Sequence, residues 1–212
     1  MTVMLVWWLI IMSFLAVTIR VRCQLDDLGF ISIDCGISKN SSYIDDTTDL
    51  TYTSDMQFID TGANYNISKQ YISPSLSKRY LTVRSFPNGT RNCYTLRSLS
   101  IGWKYLIRAT FFYGNYDKLN KLVVFDIYIG VNLWKTVNIS QTLYSIMEEI
   151  IITIQNDFIQ VCLVNTGNGI PFISGLDLRP LKNTLYPMAK GGQSIALYFR
   201  INMGPKDNVF VR

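Results

Sequence analysis

The chain of 212 residues contains no histidine. That absence removes the imidazole base on which Ser–His and Cys–His nucleophile systems depend, and with it the commonest nitrogen ligand of zinc. Cysteine is scarce: Cys23, Cys35, Cys93 and Cys162 are the four in the chain, spaced far too widely for paired metal knuckles. Charged residues amount to 17%, and the Lys and Arg behind the net charge of +5 are scattered singly. Without a clustered basic stripe there is no footprint for phosphate neutralisation, which argues against a nucleic-acid partner. Heptads, repeats and low-complexity tracts are missing as well. A helical period is weak everywhere; Thr142 to Glu149 is the one short stretch that predicts a helical turn, so helix content is expected to be low.

Catalysis without histidine is left mainly to carboxylates, and a glycosidase needs two of them about 5 to 9.5 Å apart. Asp117, Asp126, Glu148 and Asp177 offer the chemistry, yet nothing in their spacing gathers a pair. The acidic stretch "IDDTTD", with Asp45, Asp46 and Asp49, lacks the ligand spacing of a calcium loop and reads as a solvated turn. Asp34, beside Cys35 and Gly36, reads as a turn-fixing residue. The expectation is a protein that is not an enzyme and holds neither metal nor cofactor.

What is present begins with an apolar run, Val3 to Ile19, broken by Ser13 and Thr18 alone. It reads as a secretory signal over residues 1–23, cleaved before Gln24. Arg20 and Arg22 follow the run and no basic residue precedes it, a polarity that keeps an uncleaved anchor as the alternative. Cleavage would take both arginines and no acid, lowering the net charge from +5 to +3. Cys35, Cys93 and Cys162 would remain: one disulfide and one buried thiol in an oxidising compartment, with three pairings open. Four N-glycosylation acceptors, at Asn40, Asn66, Asn88 and Asn138, agree with that route; about two would arise by chance.

Strand signals dominate after residue 30. In "YLIRATFFY" the period of two puts Tyr105, Ile107, Ala109, Phe111 and Tyr113 on one face and Leu106, Arg108, Thr110 and Phe112 on the other. "VVFDIYIGV" turns Phe125, Ile127, Ile129 and Val131 inward in the same way. "EEIIITI", "FIQVCLV" and "PFISGLDLRP" follow, separated by Asn- and Gly-rich turns. The fold class is all-β, an antiparallel β-sandwich or jelly roll over residues 24–182. Residues 36–80 are polar and predict long loops with a few short strands. Residues 183–212 read as a linker and one further strand, too short to bury a core of their own.

"FFYGNYD", Phe111 to Asp117, places four rings and a carboxylate around a Gly-Asn turn. Phe111 belongs to the apolar face, which leaves Phe112 as the more exposed ring of the pair. Phe112, Tyr113, Tyr116 and Asp117 then suit a sugar's apolar face and hydroxyl rim, or equally a peptide side chain.

Several strings taken in order, "GFISIDCG", "YTSDMQFIDTG", "LTVRSFPNGTRNCYTL", "KYLIRATFFYGNYD", "FDIYIGVNLWKTV" and "VCLVNTGNGIPFISGLDLRPL", resemble the malectin-like extracellular region of plant leucine-rich-repeat receptor-like kinases. The resemblance implies a β-sandwich facing the cell wall, with cell-wall oligosaccharide, a secreted peptide or other receptor kinases as partners. It also implies that residues 183–212 begin an incomplete second module, beyond which relatives carry repeats, a membrane helix and a kinase. In animal malectin an aromatic pair and an acidic residue hold glucose-containing oligosaccharide. The pair falls on Phe112 and Tyr113, and the acidic position falls near Asn168, where an amide stands instead. The family strings further imply a disulfide between Cys35 and Cys93.

Overall fold

A computed structural model describes residues 29–46, 48–140 and 143–196 of the chain. The expected signal segment with Cys23, Thr142, and the end of the expected last strand lie outside the described residues. Fourteen strands are described in chain order: β1 Ile31–Asp34, β2 Ser42–Ile44, β3 Thr51–Ser54, β4 Ala63–Asn66, β5 Thr82–Ser85, β6 Arg91–Arg97 and β7 Lys104–Phe112, then β8 Val123–Ile129, β9 Asn132–Ile139, β10 Ser145–Thr153, β11 Phe158–Asn168, β12 Phe172–Ile173, β13 Gly175–Leu181 and β14 Ser194–Ala196. Three 3-10 turns of three residues each are the helical content among them.

The strands form sheets of seven (β14-β10-β7-β13-β1-β3-β2), four (β6-β11-β8-β9) and three (β12-β5-β4). All pairings are antiparallel except β1 with β3. Of the alternation read from "YLIRATFFY", one face holds, with Ile107, Ala109 and Phe111 fully buried in the core, but Leu106, Thr110 and Phe112 of the other face are buried as well, so β7 is covered on both sides. Phe111 of β7 meets Phe125 of β8 edge to face at 5.6 Å, and Phe172 of β12 completes the contact with both.

Four expectations are corrected. Val131 does not point inward: it is 86% exposed, because Gly130 and Val131 form the two-residue turn joining β8 to β9. The stretch before Glu149 is not helical. From Ser145 it runs as β10, held in register with β7 from Ser145 opposite Phe112 to Glu149 opposite Arg108, where an Arg108–Glu149 ion pair at 2.6 Å ties the strands. Asp45 is not solvated but buried, accepting from the backbone N–H and hydroxyl of Thr48 at 2.9 Å to close its own turn.

The disulfide is not Cys35–Cys93. Cys93 on β6 lies directly opposite Cys162 on β11, their Cα atoms 4.0 Å apart, and these two are bonded. Cys35 is a free thiol with no exposed surface, at the end of β1. Sequence separation concealed what strand pairing decides. Residues 183–193 are also more than a tether, since Ala189 packs with Leu106 and Ile151 on the outer side of the large sheet, and β14 pairs with β10.

Candidate functional site

The loop between β7 and β8 is shaped by four left-handed residues, Gly114, Asn115, Lys118 and Asn120. A Cβ at Gly114 would stand 2.6 Å from Cγ2 of Ile67, so only glycine fits there without movement. Inside this bend the polar groups bind one another. Asp117 accepts from the Tyr113 hydroxyl and the Leu119 N–H, the Asn115 side chain accepts from the Asn120 N–H at 2.9 Å, and Ser68 donates to the Asn115 carbonyl at 2.7 Å.

The rings are spent in the same way. Phe112 is 3% exposed, against the expectation that it faces outward, because its sheet face is covered by Tyr80 with ring centroids 5.7 Å apart. Tyr113 and Tyr116 are buried, meet at 5.6 Å and both pack on Phe172. The Tyr116 hydroxyl shares a hydrogen bond with Ser85 at 2.9 Å, and burial pushes its phenol up to about 12. Thus Phe112, Tyr113, Tyr116 and Asp117 come together as a scaffold, not as an open platform. Asn168 stands exposed at the far end of β11, across β8 from Asn138, with Val124 between them. Of the four candidate carboxylates, Asp117 closes this loop, Asp126 accepts from Thr136, and Asp177 pairs with Arg79 and Arg179.

A second polar cluster went unread in the sequence. Arg84 of β5 grips Asp55 at 2.5 and 2.7 Å, and the Tyr94 hydroxyl donates to the same carboxylate at 2.9 Å, all in the interior. Nearby, Asp34 accepts from Tyr43 at 2.7 Å and Thr82 at 3.0 Å, joining β1 to β2 and β5. Burial pushes its carboxyl up to about 7. The strings "IDCG", "YTSD" and "TVRS" meet here, and Gly36 beside them passes so close to Val83 that a Cβ would lie 2.5 Å from its carbonyl oxygen. These residues fasten the small sheet to the large one.

Two hollows border the β7–β8 loop, one of about 350 Å³ at Tyr113, Asn120 and Leu122 and one of about 630 Å³ at Asn115, Tyr116 and Lys118, and a larger one lies elsewhere. A groove of about 680 Å³ runs between the β8–β9 turn, the β10–β11 turn and the residues leading into β14. Val131, Leu133 and Phe158 line it with large exposed surfaces, and no charged side chain does. Ile101 and Trp103, also exposed, stand on a loop bonded to Ile154 in the groove wall through Gly102 N–H to Ile154 oxygen at 2.8 Å. This apolar surface is rimmed by Gln155, Asn156 and Gln160.

The malectin-like domain model matches residues 33–212. The chain belongs to the malectin-like family. Among curated proteins, a putative leucine-rich repeat receptor-like serine/threonine-protein kinase of Arabidopsis thaliana is 43% identical over 209 residues, covering 94% of this chain and 24% of its own length. The chain therefore spans about a quarter of that malectin-like relative. Among solved structures, the plant receptor-like kinase FER superposes with a TM-score of 0.62 at 20% identity, over 74% of this chain and 43% of FER. A complex of the plant peptide RALF23 with FER and LLG2 superposes with a TM-score of 0.58 at 17% identity, covering 73% and 40%. The matched region is the malectin-like part of these receptors, not a catalytic domain.

Proposed function

We propose that this malectin-like chain is a non-catalytic recognition module of the secretory pathway and cell surface, and that its ligand is a polypeptide bound in the groove at Val131, Leu133 and Phe158. One observation carries the reading: the rings that would stack on a sugar are buried, whereas the groove leaves large apolar side chains in water, with the Arg97 guanidinium over the Phe158 ring at 5.9 Å as a charged neighbour. A sugar platform needs exposed flat rings with polar groups free to meet hydroxyls, and here those polar groups close a loop. That a FER ectodomain has been solved with a peptide and LLG2 supports the class of partner. Residues 183–212 serve in this reading as the passage to a following module, and the ectodomain of a related receptor kinase is the partner that best fits.

The test is a titration of the secreted chain with the purified ectodomain of the 43% identical Arabidopsis kinase. Saturable binding that Leu133→Asp and Phe158→Asp each abolish is expected, with the far-ultraviolet circular dichroism unchanged. Saturable binding of a glucose oligosaccharide lost in Asn168→Ala, with no effect of Leu133→Asp on anything, would overturn it.

A further inference from the structure

Among the described residues the three sheets present six edge strands: β2 and β14, β6 and β9, β4 and β12. Four of the six carry an Asn-X-Ser/Thr acceptor. Asn40-Ser41-Ser42 runs into β2, Asn66 is the last residue of β4, Asn88-Gly89-Thr90 directly precedes β6, and Asn138 lies in β9. All four asparagines are exposed, and no interior strand carries such a site. Of the two edges without one, β12 is two fully buried residues and β14 is the three-residue strand Ser194–Ala196.

An open edge offers unpaired N–H and C=O groups to any passing strand, and proteins usually blunt it with charge, proline or a bulge. Here β2 reads Ser-Tyr-Ile and β4 reads Ala-Asn-Tyr-Asn, with neither charge nor proline. Both also show apolar surface to water, at Ile44 and Tyr65. On these two strands the ordinary defences are missing; β6 carries Arg91 and Arg97, with its Thr95 N–H bonded to the Phe58 carbonyl at 2.9 Å, and β9 carries Lys135, so at those two edges a glycan adds to a partial defence. We propose that N-linked glycans on Asn40, Asn66, Asn88 and Asn138 cap these four sheet edges and keep the fold from pairing edge to edge with other strands. In each transfer the Asn Nδ2 bonds to C1 of the first sugar while the C1–O bond to a polyprenyl diphosphate carrier breaks. The diphosphate leaves with the electron pair, and the amide nitrogen gives up one proton. The product is a bulky, hydrated substituent beside the backbone it shields.

The full chain, secreted from a eukaryotic host that adds high-mannose glycans, provides the test. Glycopeptide mass spectrometry is expected to find all four asparagines occupied. Trimming the folded glycoprotein natively with endoglycosidase H, which spares the folding step, should raise its self-association rate in light scattering about tenfold. A separate variant, Asn66→Lys with Asn138→Lys, replaces two glycans by edge charges and should stay as monomeric as the glycosylated chain, while Asn66→Gln with Asn138→Gln associates. Unoccupied sites at Asn66 and Asn138, or a trimmed protein that remains monomeric at the same concentration, would overturn the proposal.

Discussion

Arg84 and Asp55 form a two-bonded ion pair, at 2.5 and 2.7 Å, with almost no exposed surface on either side chain. Such a pair contributes little net stability over an apolar one, but removing one member strands the other charge out of water. Arg84→Met should therefore destabilise the fold by about 3–5 kcal/mol in urea unfolding, and Asp55→Leu combined with it should recover a large part of that loss. A loss below about 1 kcal/mol for Arg84→Met would show that the carboxylate finds another donor.

Asp34 makes stability depend on pH. Its folded-state carboxyl sits near 7 against an ordinary 3.8, raised chiefly by burial and in part by Asp55, and opposed by Tyr43, Thr82 and Arg79. Because the unfolded chain ionises first, stability is fully present below about pH 4, falls as pH rises toward 7 and levels off above it. The span corresponds to roughly 4 kcal/mol. Melting temperature should drop between pH 4 and 7, and Asp34→Asn should flatten that slope; an unchanged slope in the variant would assign it to other groups.

The thiols provide a chemical check. A peptide map should link Cys93 to Cys162 and leave Cys35 unreactive toward alkylating reagents until the chain is unfolded. Cys93→Ala with Cys162→Ala should cost about 4 kcal/mol, given a sequence separation of 69 residues. A Cys35–Cys93 peptide would contradict the strand register itself.

Gly114 separates scaffold from surface. Gly114→Ala meets both the left-handed backbone and Ile67, so a loss of about 1–3 kcal/mol is expected in denaturant unfolding. Partner binding at Leu133 should survive in the folded fraction, because that residue lines a different groove.

The antiparallel sandwich was legible because its strands announce themselves: β8 alternates, β7 keeps one apolar face, and the turns between β8, β10 and β11 carry Gly or Asn. The site was far less so. "FFYGNYD" has the composition of a ligand cradle, and only the neighbours Tyr80, Ile67 and Phe172, distant in sequence, decide that its rings are covered. Period-two reasoning misplaced Val131 since it carried a strand two residues into its turn, and it had no means of pairing β6 with β11, the step that joins Cys93 to Cys162. Asp55 and Arg84 stand 29 residues apart with nothing local to connect them.

Recognition of a polypeptide through the groove is tested most directly by site-specific photo-cross-linking from two positions, Leu133 in the groove and Leu119 on the β7–β8 loop, against the same receptor ectodomain. A covalent adduct of the combined mass from position 133 and none from position 119 is the expected result. An adduct from position 119 alone would place the contact on the aromatic loop and contradict it.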